Sequence, residues 1–195
     1  MLLKREAAIS PDLAPYQRLV GVLYLLARMA HRMGLLSVEE HIENLPASPL
    51  FAKVGGFDPV HARLYAAVAD TFRLLIQGVD NPAVIGRFLD LVVSYGEWDA
   101  MEARLAEIAR TFLWAIAVGE PAGVAAELAR QIIPVAIRPE SADWEAWLRT
   151  LAEHPSDGHD MDSLYEEMSA FFASLDANST DDELSSKSSE GRMSK

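Results

Sequence analysis

The histidines are the first candidates for chemistry, because imidazole is a common metal ligand and a general base near neutral pH. His31, His41 and His61 each fall on a segment with helical periodicity. Glutamates flank His41, but residues one or two positions apart point to different faces of a helix. The chain also lacks the Glu-x-x-His spacing by which helices hold metal ions. We therefore expect solvated helix faces at these positions rather than a metal site.

The segment 154–162 is the second candidate, since it carries two histidines and three aspartates. It lacks the spaced acids and the terminal glutamate of a calcium-binding EF-hand loop. The composition favours a turn that links two helices. A weak site for a divalent cation is the alternative.

Nucleophilic and phosphate-binding motifs do not emerge from the sequence. The chain contains no cysteine and no Gly-x-Ser-x-Gly elbow. Gly55-Gly56 is not followed by the Lys-Ser/Thr pair of a phosphate loop, so these glycines indicate a hinge. The adjacent carboxylates Glu166 and Glu167 point apart on a helix and indicate solvated charge. We expect no catalytic residue, no cofactor and no metal, hence a protein that is not an enzyme.

Charge is distributed unevenly along the 195 residues, which carry a net charge of −12. Residues 140–195 hold 14 acidic and 4 basic side chains, whereas residues 1–139 hold 15 and 13. An acidic chain is repelled by phosphate backbones. We therefore expect no nucleic acid among the partners and predict that the protein binds another protein.

Membrane insertion requires about 20 consecutive apolar residues. The longest candidate, residues 111–118, is much shorter and is bordered by charged side chains. Glu6 and Pro11 interrupt the apolar run that a signal peptide would need. These features predict a soluble protein without a transmembrane span, located in the cytoplasm.

The elements that would position these residues are helices, because apolar residues recur at 3.6-residue spacing and never alternate for long. The predicted class is all-α, a soluble bundle of about six to seven helices. Caps, prolines and glycines mark the helix ends. A short helix is predicted to start at the capping box Ser37–Glu40 and to end before Pro46. The other predicted helices cover residues 11–33, 59–77, 83–118 with a bend at Gly96, 121–133, 141–154 and 161–175. Leu50 and Phe51, after the prolines, are predicted to fold back onto the core.

The domain organisation follows from these elements. We predict a flexible N-terminus over 1–10, a helical domain over 11–139 and a C-terminal helical hairpin over 140–175 that packs on it. Residues 176–195 are rich in serine and acidic residues. Such a segment buries too little apolar surface to offset its ordering entropy, so we expect a disordered acidic tail.

Aromatic residues cluster in the predicted hairpin, at Trp144, Trp147, Tyr165, Phe171 and Phe172. The cluster has two readings. It closes the hairpin onto the core, or it forms an aromatic groove in which a partner helix docks.

Two blocks of the sequence carry a family likeness. The first comprises Met33–Glu39, Ile42–Asn44 and Ser48–Phe51, after a leucine-rich helix; the second is Asp70–Gly78. They resemble the cytoplasmic region of MotA, the flagellar motor stator subunit of the MotA/TolQ/ExbB family. A fainter third block, Gly119–Leu128, is similar to the loop between the last two membrane helices of that family.

The resemblance implies contacts with a protein of the flagellar motor. The family's rotor-facing residues are an arginine two positions before Met-Gly, where this chain has His31 beside Arg32, and a glutamate that corresponds to Glu39. Residues 101–118, where a membrane span of the family would fall, are charged here. We therefore expect no proton channel.

Three functional hypotheses follow. The first is a motility-related interaction module that binds a rotor or stator component, in the cytoplasm or peripherally at the inner membrane. Its predicted partner-binding residues are Arg28, His31, Arg32, Glu39, Glu40 and Glu43. The second is a general helical adaptor or regulator whose docking groove contains Trp144 and Trp147. The third is an enzyme or small-ligand binder, which would need polar residues converging in a pocket; their spacing does not indicate one.

Overall fold

The structure is a computed structural model that describes residues 12–153. Within this range the chain forms helices and no strand, which confirms the all-α class. The helices are α1 (Ala14–Met33), α2 (Glu39–Glu43), α3 (Pro49–Lys53), α4 (Ala62–Ile76), α5 (Pro82–Tyr95), α6 (Ala100–Ala117), α7 (Ala122–Arg130) and α8 (Ser141–Glu153). The predicted N-terminal flexibility, the 154–162 loop, the 161–175 helix and the acidic tail lie outside the described residues.

Helix α1 forms the centre of the body. Every residue from Leu19 to Ala27 is buried, including Gly21 and Tyr24, which lie outside the apolar stripe that the 3.6-residue spacing predicts from Leu19 to Met33. The predicted stripe is wrong at its C-terminal end, because Met33 in the last turn is 45% exposed. Helix α1 is thus enclosed on all sides over its middle and emerges from the core at its C-terminal end.

Helices α3, α6 and α7 pack directly on α1, and α4 packs on α2, α5 and α6. Large, fully buried side chains come from α4 and α6, while α7 contributes small ones. These residues are Leu64, Tyr65, Val68, Phe72, Leu105, Ile108, Phe112, Ala125, Ala126 and Ala129. Leu50 and Phe51 are also buried, as predicted, although they lie on a short helix capped by Ser48 rather than in a turn.

The predicted helix over 83–118 is wrong, because the chain breaks between α5 and α6. Glu97 has a φ of 51°, a left-handed conformation that few non-glycine residues adopt. Asp99 then caps α6 by accepting hydrogen bonds from the Met101 and Glu102 amides, and Glu102 completes a capping box. The break lets α5 and α6 pack side by side.

Arg130 links the end of α7 to the segment before α8. Its side chain donates hydrogen bonds to both carboxylate oxygens of Glu127, at 2.8 and 2.6 Å, and to the carbonyl of Pro139 at 2.6 Å. Gln131 and Ser141 also donate to Glu127. The bonds from Arg130 are the main reason that the pKa of Glu127 lies below its usual value of 4.5.

Close packing around Gly21 generates a prediction about stability. A Cβ added there would lie 2.6 Å from Cγ1 of Val54, and 3.2 and 3.3 Å from atoms of Leu151 and Trp147. Alanine normally stabilises a helix relative to glycine by up to about 1 kcal/mol. At this position the overpacking outweighs that gain, so we expect Gly21→Ala to lower the free energy of unfolding by about 1–3 kcal/mol, as measured by urea denaturation.

Gly123 on α7 offers a matched control, because an added Cβ there meets no atom within 4 Å. We expect Gly123→Ala to leave stability unchanged or raise it by about 0.5 kcal/mol. Equal effects of the two substitutions would show that α1 does not pack this tightly.

The lowered pKa of Glu127 predicts a pH-dependent contribution to stability. The usual pKa of a glutamate without partners is 4.5, and the ionised carboxylate of Glu127 stabilises the fold fully above that pH. This contribution to stability is lost as the pH falls through the lower pKa that Glu127 has in the folded state. We expect Glu127→Gln to be less stable than the parent protein at neutral pH. The difference between their urea midpoints should shrink below pH 4.5.

Glu145→Gln is the control for this experiment. Glu145 pairs with Arg149 on α8, but both side chains are more than half exposed, so solvent screens the pair. We expect Glu145→Gln to lower the urea midpoint at neutral pH by less than Glu127→Gln does. If the midpoint difference between Glu127→Gln and the parent protein stayed constant in acid, the stabilising role assigned to ionised Glu127 would be contradicted.

Candidate interaction site

The last turns of α1 position the three predicted basic residues. Arg28 is partly buried, and its Nη1 donates a hydrogen bond of 3.0 Å to the hydroxyl of Tyr24. Its guanidinium carbon also lies 5.5 Å from the centroid of the Tyr24 ring. His31 and Arg32 are exposed. Basic side chains at this end interact favourably with the helix dipole, so their placement on α1 is also locally stabilising.

The predicted capping box at Ser37–Glu40 is wrong. Gly34, with a φ of 91°, ends α1, and residues 35–38 form a 3₁₀-helix. The hydroxyl of Ser37 lies 2.6 Å from the carbonyl oxygen of Gly34 and 3.4 Å from that of Met29 in the last turns of α1, so it contacts the preceding helix rather than capping α2. Helix α2 begins at Glu39, preceded by Val38 without a side-chain cap.

Burial of two apolar residues orients α2. Val38 and Ile42 are almost completely buried, at 0% and 1% exposure. Glu39 and Glu40 lie outside this buried side of α2 and are exposed. The structure therefore places these two of the three predicted acidic residues where a partner can reach them.

Glu43 has a different environment from the other two glutamates. Its Oε1 accepts a hydrogen bond of 2.7 Å from Nε of Arg73, whose Nη1 pairs with Asp70 at 2.6 Å. The hydrogen bond from Arg73 lowers the pKa of Glu43. Glu43 thus joins α2 to α4, although its side chain remains 56% exposed.

Two of the histidines do not lie on solvated faces, which corrects the prediction for them. His61 is 6% exposed at the start of α4. His41 is partly buried, and its Nδ1 lies 3.1 Å from the hydroxyl of Ser48. Within residues 12–153, no three histidine or acidic side chains are grouped closely enough to hold a metal ion.

A cleft of about 510 Å³ lies between the C-terminal half of α1 and the loop that leads into α7. Its α1 wall includes Arg28, His31 and Arg32. Its other wall includes Glu120 and the first turn of α7. Among residues 12–153 the cleft is lined by Tyr24, Ala27, Arg28, Ala30, His31, Arg32, Leu35, Ile116, Gly119, Glu120, Pro121, Ala122 and Gly123.

The cleft is cationic. In the part of the chain that the structure describes, neither Arg28 nor Arg32 forms an ion pair with a carboxylate. Helix α7 begins at the cleft with Pro121 as its N-cap, a residue whose side chain cannot accept a hydrogen bond from the first amide groups. These amides add positive potential. Of the described residues that line the cleft, Glu120 alone is acidic.

The tryptophans of α8 belong mainly to the core. Trp144 is 2% exposed, and its Nε1 donates a hydrogen bond of 3.2 Å to the carbonyl of Ala126. Trp147 is partly buried, and its ring centroid lies 4.7 Å from that of Trp144. Tyr165, Phe171 and Phe172 fall outside the described residues. The structure thus packs α8 against the other helices. For Trp144 and Trp147 this agrees with the interpretation that the aromatic residues belong to the core.

Sequence reasoning missed the contribution of residues 116–123 to the site. Their place opposite α1 depends on tertiary packing of α6 and α7, which no local pattern encodes. The available signal was the Gly119-Glu120-Pro121 loop, which indicates a sharp turn between two helices. The structure brings this loop to Arg28, His31 and Arg32.

None of the helices described here combines the length and the apolar character that crossing a bilayer requires. Comparisons of the chain with protein-family models, with curated proteins and with solved structures find no match. The likeness to the stator subunit therefore stays a prediction from the quoted sequence blocks.

Proposed function

We propose that the protein is a non-enzymatic interaction module that binds a partner protein through residues 31–40, here called the α1–α2 corner. The observation that carries this proposal is the exposure of three large apolar side chains at the corner. Met33, Leu35 and Leu36 are 45%, 38% and 71% exposed. Burying each of them against a partner would contribute roughly 1.5–3 kcal/mol at most.

Charged residues flank these apolar side chains along the chain. His31 and Arg32 precede them, and Glu39 and Glu40 follow. Protein interfaces commonly combine an apolar centre with a polar rim, and charges at the rim select the partner and its orientation. The corner therefore suits a partner that presents an apolar patch between complementary charges.

The resemblance to the stator subunit supports a finer proposal. It favours a flagellar rotor or stator component as the partner, and hence a role in motility in the cytoplasm or at the inner membrane surface. Glu39 is the contact residue that the resemblance assigns most directly. A general helical adaptor is the alternative, and it would use the same corner for a partner from another pathway.

Site-specific photocrosslinking in cells tests the proposal. We would place a photoreactive phenylalanine analogue at Leu36 and, as a control of equal exposure, at Val60, which is 73% exposed. We expect a discrete protein adduct from position 36 and none from position 60. Glu39→Lys should reduce the yield of that adduct about tenfold, because it introduces like-charge repulsion at the interface.

Asp80→Lys makes the same change of charge at an exposed residue before α5 and should leave the adduct yield unchanged. Absence of an adduct at position 36, or equal loss in both lysine variants, would refute the α1–α2 corner as the interface. Identification of the adduct separates the two finer proposals. A motor component supports the motility role, and any other protein supports the adaptor.

A further inference from the structure

The cleft beside α1 has the dimensions of a small-molecule site. Pockets that hold small ligands measure about 300–1,000 Å³, and this one measures about 510 Å³. It shares His31, Arg32 and Leu35 with the α1–α2 corner, but it extends inward between α1 and the loop before α7. The cleft is therefore a concave site that lies beside the exposed side chains of the α1–α2 corner.

Its two arginines are arranged to receive an anion. Arg28 and Arg32 are four residues apart on α1, so they lie on one face of the helix. The contact with Tyr24 already orients Arg28. Guanidinium groups bind carboxylates and phosphates through paired hydrogen bonds. Both arginines lack a carboxylate partner in the described chain although the protein carries a net charge of −12.

The rest of the lining is largely apolar. Ala27 and Ala30 form part of the α1 wall, and Ile116 and Ala122 lie on the opposite wall. Alanine side chains on both walls leave the volume open rather than filling it. A ligand that fits both parts of the cleft must combine a negative group with an apolar body.

We propose that this cleft binds a soluble amphipathic organic anion, whose carboxylate or phosphate lies between Arg28 and Arg32 and whose apolar part packs on Ala27, Ile116 and Ala122. The amides at the start of α7, which the side chain of Pro121 does not cap, contribute potential of the same sign. The carboxylate of Glu120 repels an anionic ligand. Removal of this charge is therefore predicted to strengthen binding, whereas removal of an arginine charge is predicted to weaken it. The proposal does not rest on the partner surface proposed above, although the two sites share His31, Arg32 and Leu35.

Titration of the purified protein with octanoate tests the site, with octanamide as a neutral probe of equal length and octyl phosphate as the second anion. We expect both anions to bind at least about tenfold more tightly than octanamide. In NMR spectra, the amides of Gly119 and Gly123 in the cleft should shift on titration, whereas that of Gly78 at the end of α4 should not.

Substitutions of charge give the decisive comparison. Arg32→Gln should weaken octanoate binding about tenfold, and Glu120→Gln should strengthen it. Arg87→Gln, at an exposed arginine of α5, should change nothing. All three residues are on the surface, so the folded state should persist, which circular dichroism checks.

Several results would overturn the site. These are no shift of the Gly119 and Gly123 amides at millimolar octanoate, equal binding of octanamide, or equal effects of the Arg32 and Arg87 variants. Binding to anionic phospholipid vesicles without binding of soluble octanoate would point to a membrane surface instead and would also refute the proposal. Failure of the crosslinking experiment has no bearing on these outcomes.

Discussion

Complete burial of the middle of α1 is the constraint on which the rest of the structure depends. From Leu19 to Ala27 every residue is buried, and Tyr24 and Leu25 expose only 8% and 6% of their surface. Helices that are apolar on every side pack in the centre of a fold. The helix has 20 residues and so extends about 30 Å, which is longer than its buried part. Its C-terminal end must therefore project from the core, and the exposed corner and one wall of the cleft are consequences of that projection.

The burial of α1 also gives different environments to Glu39, Glu40 and Glu43, which appear equivalent in the sequence. Once α1 has ended at Gly34, the buried anchors Val38 and Ile42 fix the rotation of α2. Glu43 then forms a hydrogen bond with Arg73 of α4, whereas Glu39 and Glu40 are exposed without such a contact to α4 in the described chain. Glu43 therefore already has a partner within the fold, while a change at Glu39 alters only the surface. A functional role is thus better assigned to the first two glutamates than to the third.

Local chemistry made much of the fold predictable. The apolar period of α1, its end at residue 33 and the helix starts predicted at residues 59 and 83 are short-range signals. The structure agrees with them, because Gly34 is the C-cap of α1, and Asp58 and Asn81 each accept a hydrogen bond from a backbone amide two residues later at those starts. The errors occurred where a local signal had two physical outcomes. Ser37 can cap the next helix or close the previous one, and a glycine such as Gly96 can bend a helix or end it. The cleft was not predictable at all, because residues 116–123 approach α1 only through the packing of α6 and α7.

Small side chains explain why a cleft exists at that place. Ala125, Ala126 and Ala129 are fully buried, which allows α7 to approach its neighbours closely over its middle. Gly119 and Glu120 belong to the loop that connects α6 to α7. Both residues are exposed and precede the buried alanines through which α7 packs closely. On α1, Ala27 and Ala30 face the same region without large side chains to fill the gap. An open volume therefore forms where tight helix packing ends, and the only long side chains of α1 that border it there are cationic or polar-tipped. Its electrostatic character follows from the requirement that α1 leave the core at Arg28, so the shape and the charge of the cleft have a common origin.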